Sequence, residues 1–133
     1  MMWVKMSIEE NKAVILRFWE QFSKGNLEVM DECFSDNFVR YAIDGTVMDR
    51  EGYVQFCTKV LNAVPDIQMT IGDVVAEEDK VAFYFTFSGS YKDKSKDNPP
   101  TGKRFTMSEA YFSRFEGGKI VEFRNFQAQR QGD

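Results

Sequence analysis

The sequence contains no histidine, so the side chain that most often serves as a general base near neutral pH is missing. Its two cysteines, Cys33 and Cys57, both fall at apolar positions of predicted helices, where a free thiol behaves as a small hydrophobe. Carboxylates at the spacing of a calcium-binding loop are also missing. We therefore expect reduced, buried thiols, no metal site and no cofactor.

Long hydrophobic runs and concentrated positive charge are missing as well. The longest apolar stretches are strand-like pieces such as 81–85, far short of the roughly 20 residues that span a bilayer. Residues 1–6 lack the apolar region of a signal peptide. The formal net charge is −4, with both signs interspersed rather than gathered into a basic stripe. These absences predict a cytoplasmic protein that binds neither nucleic acid nor membrane.

What is present suits one small globular domain. The 133 residues are 43% hydrophobic and 29% charged, and 13 phenylalanines supply large side chains for a core. A chain of this length has little room for a second core. We expect a single domain over residues 1–133, with a disordered extension at 1–6 and a loose tail at 128–133.

The first half of the chain carries helix signals. A capping box that begins at Ser7 predicts a helix over residues 8–24, and Gly25 supplies its left-handed stop. A second, shorter helix follows. Asp49 is predicted to cap a third helix, which Pro65 ends. The sequence thus predicts three helices before residue 65.

The remainder of the chain is predicted to be almost entirely β. A short strand is expected over residues 38–43, between the second and third helices. Longer strands are expected near residues 67–76, 81–91, 105–115 and 120–127. Helices followed by consecutive strands favour an α+β domain, in which three N-terminal helices pack on a curved, mostly antiparallel sheet.

Four segments, in family order, resemble the SnoaL-like polyketide cyclases of the nuclear transport factor two-like superfamily. They are Lys24–Leu27 with Phe34–Val39, Val64–Ile67 through Val75–Ala82, the Pro-Pro-Thr-Gly segment Pro99–Arg104, and the terminal hairpin Arg114–Glu122. Together they cover most of the chain. The resemblance implies a cone-shaped domain with a deep apolar pocket between the helices and the concave face of the sheet.

The resemblance also implies a range of functions. Proteins with this fold include polyketide cyclases, isomerases, dehydratases and non-enzymatic binding domains, so the fold alone does not decide among them. We expect a protein that binds an apolar or polycyclic small molecule, with cyclase, isomerase or dehydratase activity that needs no cofactor. The alternative is a ligand-binding or accessory domain without catalysis. Members of the family commonly form homodimers.

The terminal hairpin predicts which side chains face the pocket. If Gly117-Gly118 is a simple two-residue turn, Phe112 faces Phe123 and Ala110 faces Asn125 on the pocket side. The opposite face then carries a mixed polar and aromatic set, which we expect on the convex surface and in a homodimer interface: Glu109, Tyr111, Arg124 and Phe126.

Two residues are candidates for the chemistry. Asn125 stands where the resemblance places a catalytic aspartate, and a neutral amide can exchange hydrogen bonds but cannot take up a proton. Tyr41, if it points inward, offers a phenol for a substrate carbonyl or enolate, although simple packing is an alternative. Asp36, Asp44 and Asp49 would act as bases only if they entered the pocket, and turn or capping roles are favoured for them.

Aromatic side chains are expected to line the pocket, and the alternative is that they merely fill the core. The predicted lining residues are Phe38, Phe56, Phe83, Phe85, Ala110, Phe112 and Phe123.

Overall fold

The computed structural model of the chain describes residues 2–92 and 104–131, with the side chains of residues 8–92 and 104–126. The Pro-Pro-Thr-Gly segment, apart from Arg104, lies outside the described residues. The helices are α1 (Met2–Ser23), α2 (Val29–Cys33) and α3 (Arg50–Ala63). The strands are β1 (Phe34–Tyr41), β2 (Val47–Asp49), β3 (Gln68–Glu77), β4 (Lys80–Ser90), β5 (Arg104–Glu116) and β6 (Lys119–Gln131).

The helix boundaries agree with the sequence patterns except at the first start. Helix α1 begins at Met2 rather than after Ser7, because nothing between them breaks a helix and residues 2–6 continue it instead of forming the expected disordered extension. Gly25 leaves the helix with φ at 82°, as predicted. Asp49 caps α3 through an Oδ1 that accepts a hydrogen bond from the Gly52 amide at 2.8 Å.

The sheet has six strands in the order β2-β1-β6-β5-β4-β3. Strand β1 runs parallel to β6, and the other neighbours are antiparallel. Strand β6 extends to Gln131, opposite Thr106, so residues 128–131 pair with β5 instead of forming the expected loose tail. The architecture is α+β, and none of the helices in the described residues is long and apolar enough to span a bilayer.

The core is built from aromatic side chains between the helices and the inner face of the sheet. Helix α1 contributes Ile15, Phe18, Trp19 and Phe22, all buried on one helical face. Phe123 of β6 is fully buried at the centre. Its ring centre lies 4.9–6.4 Å from those of Phe18, Trp19, Phe34, Phe38, Tyr53, Phe83 and Tyr111.

A bulge in the β5–β6 hairpin corrects the predicted register. The Gly117-Gly118 turn forms, with φ of 58° and 81°, and Phe115 faces Ile120 as the simple turn requires. The pairing then skips Val121, so that Arg114 faces Glu122. Ile120 and Val121 are both buried, at 0% and 5% exposure. Because successive side chains of a regular strand point to opposite faces, burying both requires a bulge.

The bulge reverses the faces predicted for β5. Phe123 now faces Ser113 and Asn125 faces Tyr111, so the predicted pairs with Phe112 and Ala110 are wrong. A slip of one residue moves every side chain of a strand to the other face. Glu109 therefore lies on the inner face with Tyr111, and both leave the convex surface on which they were expected.

Candidate functional site

A cavity of about 560 Å³ lies between the helices and the inner face of the sheet. Helices α1 and α3 and strands β1, β3, β4 and β5 all contribute to its wall. Most of the lining side chains are aromatic or aliphatic: they include Trp19, Phe22, Phe56, Val60, Val64, Ile67, Met69, Phe85, Phe87, Tyr91, Phe105 and Met107. Such a wall suits the flat apolar body of a small molecule.

A hydrogen-bonded chain of three side chains supplies the polar part of the site. Asn125 joins the other two, because its Oδ1 accepts from Arg40 Nη2 at 2.8 Å and its Nδ2 donates to Glu109 Oε1 at 3.1 Å. The amide nitrogen also lies 3.4 Å from the Ala110 carbonyl oxygen, which orients it. Arg40 and Glu109 line the cavity, and Asn125 is buried behind them at 4% exposure.

Arg40 brings a permanent positive charge into an aromatic environment. Its side chain is only 5% exposed, and its guanidinium carbon lies 5.2 Å from the ring centre of Tyr53 and 4.7 Å from that of Phe56. Both distances fit cation–π contacts, which partly offset the loss of hydration. Within the described part of the chain, the one hydrogen-bond partner of its Nη1 is the Met48 sulfur, a weak acceptor at 3.7 Å.

Glu109 is a carboxyl group in a poorly hydrated position. Burial raises the pKa of Glu109 above its ordinary value, and the Asn125 hydrogen bond and the Arg40 charge only partly oppose that rise. A carboxyl group with a raised pKa can take and return a proton closer to neutral pH than an exposed one. Among the side chains that the structure describes, those of residues 8–92 and 104–126, Glu109 Oε2 has no hydrogen-bond partner.

Two phenols and a thiol lie beside the hydrogen-bonded side chains of Arg40, Asn125 and Glu109, and the phenols and the thiol all stay neutral. The Tyr53 and Tyr111 hydroxyls are 3.4 Å apart, and burial raises the pKa of both. Burial also raises the pKa of the Cys57 thiol to about 12. Cys57 and Cys33 are both buried and unbridged, so neither is suited to nucleophilic chemistry.

The structure separates the two predicted catalytic residues. Asn125 belongs to the polar chain of the site, but Tyr41 lies on the outer face of the sheet, where the Arg124 guanidinium carbon sits 4.2 Å from its ring centre. The interpretation of Tyr41 as an inward phenol is therefore wrong. Alternation along β1 turns Phe38 and Arg40 inward, and Tyr41 consequently points outward.

The predicted pocket residues fall into three groups. Phe56 and Phe85 line the cavity. Phe38, Phe83 and Phe123 are buried in the core. Ala110 and Phe112 lie on the outer face because of the bulge in β6, which corrects their predicted position.

Of the three early aspartates, Asp44 and Asp49 have the turn and capping roles that were favoured for them, whereas Asp36 lies within strand β1 rather than in a turn. Asp36 is exposed and pairs with Arg50 at 3.2 Å, and Asp44 accepts the Thr46 amide at 2.9 Å in the turn. Asp49 caps α3. Within the described part of the chain, no three His, Cys, Asp or Glu side chains are grouped to hold a metal ion.

Sequence reasoning missed Glu109 and Arg40, although each left a signal. The adjacent apolar residues Ile120 and Val121 interrupt the alternation of β6 and indicate a bulge, which would have turned Glu109 inward. Arg40 lies two residues after Phe38 in the same strand, so the two side chains face the same side of the sheet, and an inward Phe38 implies an inward Arg40. The site combines a carboxyl group with a raised pKa, a buried cation and an apolar wall.

Comparison with known proteins identifies the family of this protein. The profile of the SnoaL-like polyketide cyclase family matches residues 13–128. No curated protein matches the chain. Among solved structures, the chain is similar to AclR of Streptomyces galilaeus, a hydroxylase candidate, with 26% identity, a TM-score of 0.81, and coverage of 91% of this chain and 90% of that one.

Two further solved structures support the same fold. IdmH of Streptomyces antibioticus, a polyketide cyclase candidate, is 28% identical with a TM-score of 0.78, over 88% of this chain and 91% of that one. A SnoaL-like cyclase candidate from Jannaschia is 18% identical with a TM-score of 0.80, over 90% and 85% of the two chains, and shows the fold alone. With the profile matched over most of its length, the chain belongs to the SnoaL-like polyketide cyclase family.

Proposed function

We propose that this chain catalyses cofactor-independent proton transfer on an apolar, polycyclic carbonyl compound, in a cyclase or isomerase reaction. The observation that carries the proposal is Glu109: a carboxyl group with a raised pKa on the wall of an aromatic cavity, held by Asn125. The family and the similarity to a cyclase candidate support the same class of substrate.

In the proposed reaction, the Glu109 carboxylate takes a proton from the carbon next to a substrate carbonyl. The electron pair of the broken C–H bond moves onto the carbonyl oxygen as an enolate, which the Arg40 cation stabilises. In a cyclisation, the enolate carbon attacks a second carbonyl, and the resulting alkoxide takes the proton back from Glu109. In an isomerisation, the proton returns to a different carbon.

Asn125 acts in this scheme as a positioning residue. It cannot exchange a proton, but its amide fixes the Glu109 carboxylate on one side and the Arg40 guanidinium on the other. In this scheme Asn125 replaces the family's aspartate, and the proton-transfer role passes to Glu109, the carboxyl group that is hydrogen-bonded to the Asn125 amide.

The alternative is a ligand-binding domain without turnover, and Asn125 in place of the family's acid favours it. Native mass spectrometry of the freshly purified protein would detect a retained ligand in either case. Exchange of solvent deuterium into 2-tetralone, a flat bicyclic ketone, then distinguishes the two functions. A catalyst accelerates exchange next to the carbonyl above the buffer rate, whereas a binding domain leaves the rate unchanged.

Asn125→Asp is expected to shift the pH profile of this exchange upward. The new carboxyl group would stand near Glu109 Oε1, where the amide nitrogen now lies at 3.1 Å, and two adjacent carboxylates resist ionising together. The pH at half-maximal rate should rise by about one unit or more. Asn62→Asp, on the exposed face of α3, is the matched control and should leave the profile in place. An unchanged profile in Asn125→Asp would contradict the proposed contact.

We also propose that the chain forms a homodimer through the outer face of the sheet. The register places Tyr84, Ala110 and Phe126 in one row across three strands, and Tyr84 and Phe126 are well exposed. Contiguous exposed apolar side chains on a sheet often mark an association surface. Arg124 belongs to the same face, whereas Glu109 and Tyr111 no longer do.

Phe126→Asp is expected to prevent this dimer, because two copies of a buried carboxylate would face an apolar surface. Light scattering after size exclusion should give the monomer mass for the variant and the dimer mass for the wild type. Leu16→Asp, an exposed apolar position on α1, is the control and should remain dimeric. A monomeric wild type, or a dimeric Phe126→Asp variant, would refute the interface.

The proposed site of action is the cytoplasm. There the free thiols of Cys33 and Cys57 would stay reduced, in agreement with their unbridged state.

A further inference from the structure

The charge on the cavity wall opposes the charge of the whole protein. The chain carries a formal net charge of −4. Of the charged side chains that line the cavity within the described residues, however, two are positive, Arg40 and Lys59, and one is negative, Glu109. The positive charge on the cavity wall therefore favours a negatively charged ligand, although the protein as a whole is negative.

The cation at the inner end is poorly compensated. Arg40 lies within 4.0 Å of no carboxylate oxygen in the described residues, and its link to Glu109 runs through the neutral Asn125 amide. Its Nε is buried without a hydrogen-bond partner, and so is Nε1 of Trp19, another lining residue. Buried N–H groups without acceptors are costly, and a buried charge without a direct counter-ion costs more.

The apolar part of the wall restricts what can compensate this charge. A small inorganic anion would leave the aromatic surface of the cavity uncovered, whereas a neutral hydrocarbon would leave Arg40 without a partner. A planar guanidinium matches the paired oxygens of a carboxylate or of an ionised 1,3-dicarbonyl group. Both requirements are met by one flat molecule with an anionic oxygen pair at one end.

We infer that the cavity selects flat aromatic or polycyclic ligands that carry an anionic oxygen group, which pairs with Arg40 at the inner end of the site. This inference rests on the proposed function and deepens it by naming the charge of the ligand. Lys59, an exposed residue on the rim, adds to the attraction as the ligand enters.

The inference is tested with a pair of fluorescent probes of the same shape. Anthracene-2-carboxylate and the neutral anthracene-2-carboxamide are titrated against the whole protein near neutral pH and at physiological salt. The carboxylate is expected to bind about ten-fold or more tightly, as a charge-assisted contact in a poorly hydrated site allows. Equal binding of the two probes would overturn the inference and leave the proposed function standing. If neither probe binds, both fail.

Substitutions at Arg40 test whether this residue causes the preference for the carboxylate probe. Arg40→Met keeps an apolar stem and should abolish the preference while the carboxamide still binds, which shows that the variant is folded. Arg40→Lys keeps the charge without the planar fork and should retain part of the preference. Arg17→Met removes an exposed arginine of α1, paired with Glu32, and should bind as wild type does. A preference that survives in Arg40→Met would overturn the assignment.

Discussion

Glu109→Gln is expected to lower the rate of deuterium exchange into 2-tetralone by about 100- to 10,000-fold, the usual contribution of a general acid–base group. The substitution keeps the side chain's size and its acceptor for the Asn125 amide, and removes only the capacity to carry a proton. Because Glu109 is the only carboxylate on the cavity wall within the described residues, no neighbour there can replace it.

The matched control is Glu116→Gln, an exposed position of the same strand, at which the rate should not change. Thermal unfolding of both variants must accompany the rate measurement. A Glu109→Gln variant that is folded and still exchanges at the wild-type rate would exclude Glu109 as the proton-transfer group.

The wild-type pH profile should report the same carboxyl group. Glu109 must be ionised to act as a base, and its pKa is raised, so the rate should fall as the pH drops through a pKa above the ordinary value of a glutamate. For stability the sign is reversed. The raised pKa favours folding at low pH, and that contribution is lost as pH rises from the ordinary carboxyl pKa to the raised one. Glu109→Gln should therefore unfold no more easily than wild type at neutral pH.

Phe123→Ala is expected to lower the free energy of unfolding by about 3–5 kcal/mol, the usual cost of removing a fully buried phenylalanine. Its side chain has 0% exposure and lies among seven aromatic rings that belong to helices and strands on all sides. These neighbours are held by several elements and cannot collapse together into the space left behind.

The control is Phe126→Ala on the other face of the same strand, where the side chain is 56% exposed. Urea unfolding followed by circular dichroism, at concentrations that keep the chain monomeric, should show a change of about 0.5 kcal/mol or less for that variant. Equal losses in the two variants would contradict the assignment of Phe123 to the core.

Features that depend on residues close together in the sequence were predicted well. Helix stops and caps are local, and Gly25 and Asp49 take the predicted conformations because their own backbone and nearest neighbours require them. The strands of the second half were found from alternation in the same way. The resemblance to the SnoaL-like cyclases was confirmed by the family profile and by the fold.

The candidate site was predicted less well, because it depends on the pairing of distant strands. Asn125 was identified from its position in the resemblance, but its partners Arg40 and Glu109 are 85 and 16 residues away along the chain. Tyr41 was chosen in place of Arg40, which is the inward neighbour. Glu109 was placed on the convex face because the hairpin was counted without its bulge.

The sequence by itself determined the α+β class and the supply of aromatic side chains, since composition, periodicity and local turns encode these directly. The resemblance of four of its segments pointed to the family. The tertiary structure decided which side chains meet. At Val121 the need to bury two successive apolar residues against the core outweighed regular pairing, and that shift of one position turned Glu109 and Tyr111 into the cavity. Burial against residues from distant parts of the chain caused the shift, so simple hairpin counting missed it.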